Sequence, residues 1–235
     1  MKKLIFLFIL LAINCTVIYS KEHFPIDELK DIKVIDLKPV EYVSLDLIIE
    51  KQLNDSRTWS TVNHQNPKNL DYLKIDVFTS SILDNKYSGL NLFDGSVYTA
   101  WVEGAKGNGI GEWIRIEFNG YRNSYTTQPF SIWTVGVIPG YAKNQKIWEA
   151  NNRVKKALLV IFSPDSFGGK NIWSAFRLHF IDKNTMQLFD IPIEYIGRNM
   201  PMKKTVWFMI EEIYKGNKYD DTCISELFFK GGYSN

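Results

Sequence analysis

The 235-residue sequence is poor in the residues that build metal clusters and crosslinks. It has 2 Cys and 3 His, and it contains neither an HExxH motif nor a pair of CxxC motifs, which argues against a zinc centre. The formal net charge is only +2. Nucleic-acid binding through a polybasic arm is therefore not expected, because it depends on many phosphate contacts. With 45% hydrophobic residues, the chain can still build one sizeable globular domain.

The sequence also lacks an apolar run of the roughly 20 residues that span a bilayer. Its longest run, residues 4–13, follows a short positive segment at residues 1–3. This combination is typical of a signal peptide. We place cleavage after Ser20, so that residues 1–20 form the leader.

Two alternatives to cleavage after Ser20 remain open. In the first, the protein is a lipoprotein acylated at Cys15, and in the second the segment is an uncleaved buried strand or anchor. A cleaved or lipidated product is exported, either secreted or held in the cell envelope, and a membrane is a partner only if Cys15 carries lipid.

Lys2 and Lys3 account for the whole excess of basic over acidic residues. The mature chain therefore has no formal net charge and no electrostatic reason to bind a polyanion.

The remaining cysteine is expected to be structural. After cleavage past Ser20 only Cys223 is left, so no internal disulfide is possible and core burial must supply the stability. A catalytic thiol needs a neighbouring group that lowers its pKa, and no His lies near Cys223 in the sequence. We interpret Cys223 as a small buried side chain in a strand over residues 223–225.

The chain after the leader divides at about residue 73. Residues 21–73 are expected to form an N-terminal extension with short extended segments and a linker, residues 74–231 the main domain, and residues 232–235 a tail. The extended segments fall at 34–37 and 42–49, and the linker falls around 64–68.

The main domain has the period-two pattern of β-strands. Polar and apolar residues alternate at 113–118, 130–135, 174–180 and 205–210, and a continuous apolar run covers 157–162. Turn-forming clusters separate these segments, and no segment of comparable length has a helical period. We therefore predict an all-β, antiparallel β-sandwich or jelly roll, whose function is expected on the loops at one end.

The stretch from Asn91 to Trp101 contains an Asp-Gly turn at Asp94. Such a turn can bring a carboxylate and several backbone carbonyls to one point, and the Thr99 hydroxyl can join them. Calcium takes six to eight oxygen ligands in arrangements of this kind. From the residues alone, a turn without metal explains the pattern equally well.

The glycine-rich stretch from Glu103 to Glu112 does not fit a nucleotide-binding loop. It lacks the GK[ST] ending of a P-loop, and its glycines do not open a helix after a strand. We expect no nucleotide. The loop is expected to place Glu103 and Glu112 near its rim, either for ligand contact or simply to allow a tight connection. A pair of carboxylates also raises the alternative of glycoside hydrolysis.

The segment from residue 140 to 153 mixes aromatic rings with amides and cations, as sugar-binding surfaces do. Tyr141 and Trp148 are candidates for stacking against a sugar, and Lys143, Asn152 and Arg153 are candidate hydrogen-bond donors. The alternative is that Trp148 caps the sandwich and Arg153 pairs with a carboxylate.

These patterns resemble a known family. The galactose-binding-like jelly roll of discoidin and coagulation-factor type C domains is similar, and the glycan-binding domain attached to secreted bacterial NAD glycohydrolases is more similar still. The resemblance covers about residues 74 to 230 and rests on six blocks, at 91–95, 99–104, 109–114, 140–143, 152–155 and 214–226.

The resemblance implies a jelly-roll fold, a glycan partner and one structural calcium ion. In related modules the ion is held by backbone carbonyls and an Asp of an early loop, a Thr at its end, and a Ser/Glu pair in the last strand. The matching positions here are Asn91, Asp94, Ser96, Thr99, Ser225 and Glu226. Ser96 departs from the pattern, because Asp or Asn is commoner there, so the resemblance implies a weaker site or one that uses mainly a carbonyl at this position.

Two functional classes follow. The favoured one is an exported, non-enzymatic, lectin-like module for surface recognition or adhesion. The alternative is a secreted hydrolase, or an accessory domain of a toxin-like enzyme, with its site at the glycine-rich loop. NAD glycohydrolases carry a separate catalytic domain after the glycan-binding region. The sequence runs only a few residues past the last predicted strand, so we expect no such domain here. A structural envelope protein cannot be separated from the first class by sequence.

Overall fold

The computed structural model describes residues 23–43, 58–59, 71–122, 130–164, 171–196 and 203–233. The signal peptide, Cys15 and the expected linker at 64–68 lie outside these residues. The described strands are β1 (Val34–Leu37), β2 (Glu41–Val43), β3 (Thr58–Trp59), β4 (Asp71–Thr79), β5 (Trp101–Val102), β6 (Trp113–Arg122), β7 (Phe130–Pro139), β8 (Asn152–Ser163), β9 (Ile172–His179), β10 (Met186–Asp190), β11 (Lys203–Tyr214) and β12 (Thr222–Tyr233). Two short helices, α1 (Gln145–Ala150) and α2 (Ile193–Ile196), and two 3-10 turns at Asn85–Tyr87 and Gly89–Phe93 complete the list.

The strands fall into two groups. The first has the order β1-β9-β8-β11-β6-β4, and the second has the order β2-β10-β7-β12, with β3 and β5 also paired to β12. A short parallel pairing of β12 with β8, at Thr222 and Cys223, joins the groups. Apart from this pairing and that of β1 with β9, the described strand pairs are antiparallel. The prediction of an all-β antiparallel fold is confirmed.

The main core lies between the two groups. Ile114, Ile116 and Phe118 alternate along β6 and are all fully buried. Phe118 meets Phe229 of β12 edge to face, with 5.0 Å between the ring centroids. A contact between strands of different groups shows that the groups pack face to face, as in a sandwich.

The other face of the first group is covered by the N-terminal extension. The ring of Phe24 packs edge-on against Trp207, with 5.8 Å between centroids, and Trp207 in turn contacts Trp113. In addition, β1 pairs with β9, and β2 pairs with β10. Residues 23–43 therefore pack as part of the sandwich, with a strand on each group.

The predicted strands agree closely with the observed ones. The alternating segments fall in β6, β7, β9 and β11, with β9 ending at His179, and the apolar run 157–162 lies inside β8. The extended segment 34–37 is β1, whereas residues 44–49 of the second predicted segment lie outside the described part of the chain.

Cys223 is a free, fully buried thiol in β12, as predicted, and burial raises its pKa.

The loops at one end of the sandwich lie close together, and we call this region the loop end. It consists of residues 80–112, 140–151 and 215–221. Hydrogen bonds connect these loops; for example, the backbone N of Asn217 donates to the carbonyl of Glu149 over 2.9 Å. None of the helices in the described residues is long and apolar enough to span a membrane.

Candidate functional site

The Asp94 turn is closed by its own side chains. Asp94 Oδ1 accepts a hydrogen bond from the backbone N of Ser96 at 2.9 Å. The Thr99 hydroxyl donates to Asp94 Oδ2 at 2.7 Å and also lies 2.9 Å from the Ser96 carbonyl oxygen. Gly95 has φ of 72°, a conformation that glycine adopts without steric strain. The turn is therefore compact, and its oxygen atoms converge.

Glu226 of β12 reaches the same turn from the other end of the sequence. Its Oε1 accepts a hydrogen bond from the backbone N of Ser96 at 2.8 Å. The side chain is only 7% exposed. Burial, together with the charge and hydrogen bond of Asp94, raises the pKa of Glu226 to about 10. Two carboxyl groups held this close share a proton unless a cation neutralises them.

The donor set at this turn suits a hard cation. Asp94 and Glu226 supply carboxylates, Thr99 a hydroxyl and Ser96 a carbonyl oxygen that already lies beside that hydroxyl. Calcium prefers oxygen ligands of these types. No cluster of three or more His, Cys, Asp or Glu side chains occurs in the described residues, so carbonyl or water oxygens would have to complete the shell.

The other two residues of the implied calcium set use their side chains elsewhere. The amide nitrogen of Asn91 donates to the carbonyls of Lys86 at 2.8 Å and Ala100 at 2.9 Å, which ties the two ends of the loop together. Ser225 Oγ accepts a hydrogen bond from the backbone N of Ala142 at 2.8 Å. The side chains of Asn91 and Ser225 therefore fix loops, and Asn91 would contribute to a calcium site through its backbone carbonyl.

Glu103 is buried beneath the glycine-rich loop. It is fully inaccessible to solvent, and it accepts hydrogen bonds from the backbone N of Thr222 at 3.2 Å and of Ala105 at 2.8 Å. Burial raises the pKa of Glu103. The structure therefore places this carboxylate inside the loop end, where it fastens the loop to β12, and not on the rim.

Glu112 is also used to fix the loop. Its Oε2 accepts hydrogen bonds from the hydroxyl of Ser80, at 2.6 Å, and from that of Ser81. Ser81 Oγ accepts in turn from the backbone N of Gly104 at 2.9 Å. The two carboxylates that the sequence suggested for ligand contact thus both act as hydrogen-bond acceptors for the loop.

Trp148 and Arg153 form a buried unit. Trp148 is 5% exposed and its indole nitrogen donates to the Pro139 carbonyl at 2.8 Å. The Arg153 guanidinium lies 4.6 Å from the ring centroid and pairs with Asp182 at 2.8 Å. Gly140 is required above them, because a Cβ there would lie 2.4 Å from Arg153 Cγ. This arrangement matches the alternative in which Trp148 caps the sandwich and Arg153 pairs with a carboxylate.

Asn152 is buried as well, whereas Tyr141 and Lys143 reach the surface. The Asn152 amide donates to the carbonyl of Asp220, and its oxygen accepts from the backbone N of Gly216 at 2.8 Å. Tyr141 is partly exposed, and Lys143 is exposed. Of the five sugar-contact candidates in residues 140–153, the structure leaves these last two accessible.

An aromatic cluster surrounds Tyr141. Its hydroxyl donates to the backbone carbonyl of Tyr98 at 2.9 Å, and Tyr98 is 67% exposed. The ring of Tyr87 meets that of Tyr141 edge to face at 6.4 Å. Lys86 Nζ lies 4.7 Å from the Tyr87 ring centroid and 3.3 Å from Asp84. We call Tyr87, Tyr98 and Tyr141 the tyrosine cluster.

Sequence reasoning missed Tyr87 and Tyr98. Tyr98 lies between Ser96 and Thr99, within the stretch that contains the predicted calcium ligands. Its backbone N donates to Ser96 Oγ at 3.2 Å. Val97 and Tyr98 both lie between Ser96 and Thr99; Val97 packs against a buried cluster that includes Ile138, whereas Tyr98 is exposed. Tyr87 gives no sequence signal.

The fold is an antiparallel β-sandwich, and comparison of the sequence with known families shows which class it belongs to. A sequence profile of the NAD glycohydrolase translocation F5/8 type C domain matches residues 68–230. The match covers more than half of the chain, and the chain belongs to this family. The suspected resemblance is thereby confirmed.

Solved structures with a similar fold include sugar-binding modules. The CBM32-1 and CBM32-2 domains of Clostridium perfringens ZmpB, in complex with GalNAc, match with a TM-score of 0.48 and 12% identity over 87% of this chain and 40% of that one. An F5/8 type C domain from Bacteroides fragilis matches with a TM-score of 0.43 and 16% identity, over 72% of this chain and 100% of that one. A chitosan-binding module from a Paenibacillus chitosanase/glucanase has a TM-score of 0.39 and 16% identity, over 69% of this chain and 98% of that one. No curated protein sequence matches the chain significantly.

Proposed function

We propose that the protein is a glycan-binding module whose sugar site is the tyrosine cluster at the loop end. The observation that carries this proposal is the position of Tyr98. Its ring is 67% exposed, while its backbone carbonyl is held by the Tyr141 hydroxyl at 2.9 Å. An exposed ring on a fixed backbone loses little conformational freedom when a ligand stacks on it.

The groups around Tyr98 suit a neutral sugar. The apolar face of a pyranose ring stacks on an aromatic ring, and its hydroxyls need donors and acceptors close by. Lys86 and Asp84, beside Tyr87, and the exposed Lys143, two positions after Tyr141 in the chain, offer both kinds of group. The uncharged balance of the predicted mature chain also favours a neutral ligand over a polyanion.

Calcium enters the proposal as a structural ion at the Asp94 turn. Asp94, Thr99, the Ser96 carbonyl and Glu226 would hold it, and it would supply the positive charge that lets both carboxylates ionise. Tyr98 lies within this turn, between Ser96 and Thr99. A fixed turn would therefore hold the stacking ring in place, and glycan affinity would depend on the ion.

The proposed biological role is recognition at a surface, without catalysis by this domain. Glu103 and Glu112 support this role, since each is engaged in hydrogen bonds that fix the glycine-rich loop. Export is proposed from the leader-like pattern of residues 1–20, with attachment to a membrane only if Cys15 is lipidated. The mass of the native N-terminus distinguishes cleavage after Ser20 from lipidation at Cys15.

A glycan array, run once with calcium and once with a chelator, tests the proposal. We expect binding to a restricted set of neutral glycans, with a weaker signal after chelation. The Tyr98→Ala variant should lose the signal, whereas Tyr219→Ala should keep it. Tyr219 is a matched control because it is 45% exposed at the loop end but lies outside the tyrosine cluster. If the folded protein binds no glycan in either condition, the proposed glycan-binding function is wrong and only the fold assignment stands.

A further inference from the structure

A separate cavity lies at the end of the sandwich that is far from the loop end. Its volume is about 420 Å³, within the range of roughly 300–1,000 Å³ that is usual for small-molecule sites. β8 begins at Asn152 in the loop end and finishes at Ser163, which lines the cavity. A strand of twelve residues separates the two ends by about 35 Å. The cavity is therefore distinct from the proposed sugar site.

The cavity continues the main core to the far end of the sandwich. Four of its lining side chains are buried members of that core, namely Ile161 and Phe176 on the first group of strands, Ile132 on β7 of the second group, and Ile191 directly after β10. The cavity thus lies between the two groups. Tyr195 of α2 also lines it, and its ring packs edge-on against Phe176 with 5.4 Å between centroids. Such walls favour a ligand with an apolar body, because they remove its apolar surface from water.

Two buried serines supply hydroxyl groups to the cavity lining. Ser174 is 7% exposed, and among the residues that the structure describes its hydroxyl has no hydrogen-bond partner. Ser163 is 4% exposed, and its Oγ accepts a hydrogen bond from Lys204 Nζ at 2.9 Å. The Ser163 hydroxyl still has its own proton to donate. A buried hydroxyl without a partner is unfavourable, so a polar group of a ligand would gain most beside Ser174.

The two hydroxyls lie on the same face of adjacent strands. In the register of β8 and β9, Ser163 pairs with Ile172 and Ser174 pairs with Ile161. Side chains two positions apart point to the same face of a strand, so the serines are diagonal neighbours, roughly 7 Å apart. An oxygen between them can accept a proton from Ser163 and donate one to Ser174. A hydroxyl group does both.

We propose that this cavity binds a small molecule with an apolar body and a hydroxyl group. The ligand hydroxyl would lie between Ser163 and Ser174, and the body would lie against the core side chains and Tyr195. The serines select the polar group, and burial of apolar surface selects the body. This proposal goes beyond glycan recognition and does not depend on it, because the two sites share no residue.

Calorimetric titration of the full-length chain with p-cresol tests the site. Toluene has the same ring and methyl group without the hydroxyl, and glycerol has hydroxyls without the apolar body. We expect p-cresol to bind about fivefold more tightly than toluene, as one hydrogen bond provides, and at least about tenfold more tightly than glycerol. In Ser174→Ala the advantage of p-cresol over toluene should shrink to about twofold or less. Toluene is the internal control, since Ser174→Ala should bind it as the wild type does.

A second variant removes space from the cavity. Ser174→Leu places a larger side chain among the core residues, so it should weaken both p-cresol and toluene at least about tenfold. Lys203→Leu is the matched control, because Lys203 is exposed at the same end of the sandwich, and it should bind both compounds as the wild type does. Circular dichroism of each variant confirms that a loss of binding is not a loss of fold.

Four results would overturn the proposal. These are no binding of p-cresol, binding of toluene or glycerol as tight as that of p-cresol, a full p-cresol advantage in Ser174→Ala, and wild-type p-cresol binding in Ser174→Leu. None of these results bears on the glycan site, because p-cresol and the glycan are titrated separately and the variants lie at opposite ends of the sandwich.

Discussion

The carboxylate of Glu226 accepts a hydrogen bond from the backbone N of Ser96 at 2.8 Å, across 130 residues of sequence. This contact fastens a turn near the start of the main domain to its last strand. Asp94 lies in the same turn and bonds to the same backbone nitrogen. The loop end therefore depends on two carboxyl groups that repel one another when both are ionised.

Calcium should stabilise the protein through this pair. At about 10 mM calcium we expect the free energy of unfolding to rise by about 1–3 kcal/mol, if the affinity is that of extracellular calcium modules. The corresponding rise in Tm is about 2–10 °C. Differential scanning calorimetry with calcium and with EDTA measures it.

Variants at the pair identify the site. Asp94→Ala and Glu226→Gln should abolish the calcium-dependent rise in Tm, and Asp27→Ala should keep it, because the Asp27 side chain is 80% exposed and pairs only with Lys30 in the described contacts. An equal calcium response in all four proteins would place the ion elsewhere.

Without calcium, stability should fall as the pH rises. Burial beside Asp94 raises the folded-state pKa of Glu226 to about 10, from its ordinary value of 4.5. A carboxyl group with a raised folded-state pKa contributes stability that is complete below its unfolded-state pKa and is lost as the pH approaches the folded value. In EDTA we expect the free energy of unfolding to decrease by up to about 4 kcal/mol between pH 6 and pH 9, at about 1.4 kcal/mol per pH unit. Glu226→Gln should remove most of this dependence in urea titrations, and a wild-type profile without slope in this window contradicts the prediction.

The N-terminal extension should contribute to the stability of the sandwich. Phe24 is 9% exposed and packs on Trp207. Truncation of a buried aromatic side chain typically destabilises by 3–5 kcal/mol, so Phe24→Ala should lower the free energy of unfolding by about 3 kcal/mol. Ile26→Ala is the control, because Ile26 is 63% exposed, and it should change stability by less than about 0.5 kcal/mol. Equal effects in urea denaturation would show that the extension does not pack on this face.

The strands could be predicted from the sequence because their cause is local. Alternation of polar and apolar residues at 113–118 is the pattern of a strand with one face on a core, and β6 lies there. The sequence could not show that the opposite face of β6 is covered as well. That burial comes from Phe24 and its neighbours, which lie some 90 positions earlier in the chain.

The site was harder to predict because residue type does not distinguish a buried ring from an exposed one. Trp148 and Tyr141 lie in the same loop, yet Trp148 is 5% exposed and Tyr141 reaches the surface. Trp148 packs under Gly140 and against Arg153, whose guanidinium pairs with Asp182, and these long-range partners are not visible in the sequence. Tyr98 was missed because the sequence does not show which of the neighbours Val97 and Tyr98 faces the surface.

The central claim is glycan binding at the tyrosine cluster, and one titration tests it most directly. The best ligand from the array is titrated calorimetrically, in calcium, into the wild type, Tyr98→Ala and Tyr219→Ala. Loss of a stacking ring should weaken binding by about 1–3 kcal/mol, which is roughly 5- to 150-fold. We predict this loss for Tyr98→Ala and wild-type affinity for Tyr219→Ala. Unchanged affinity in a correctly folded Tyr98→Ala would contradict the account.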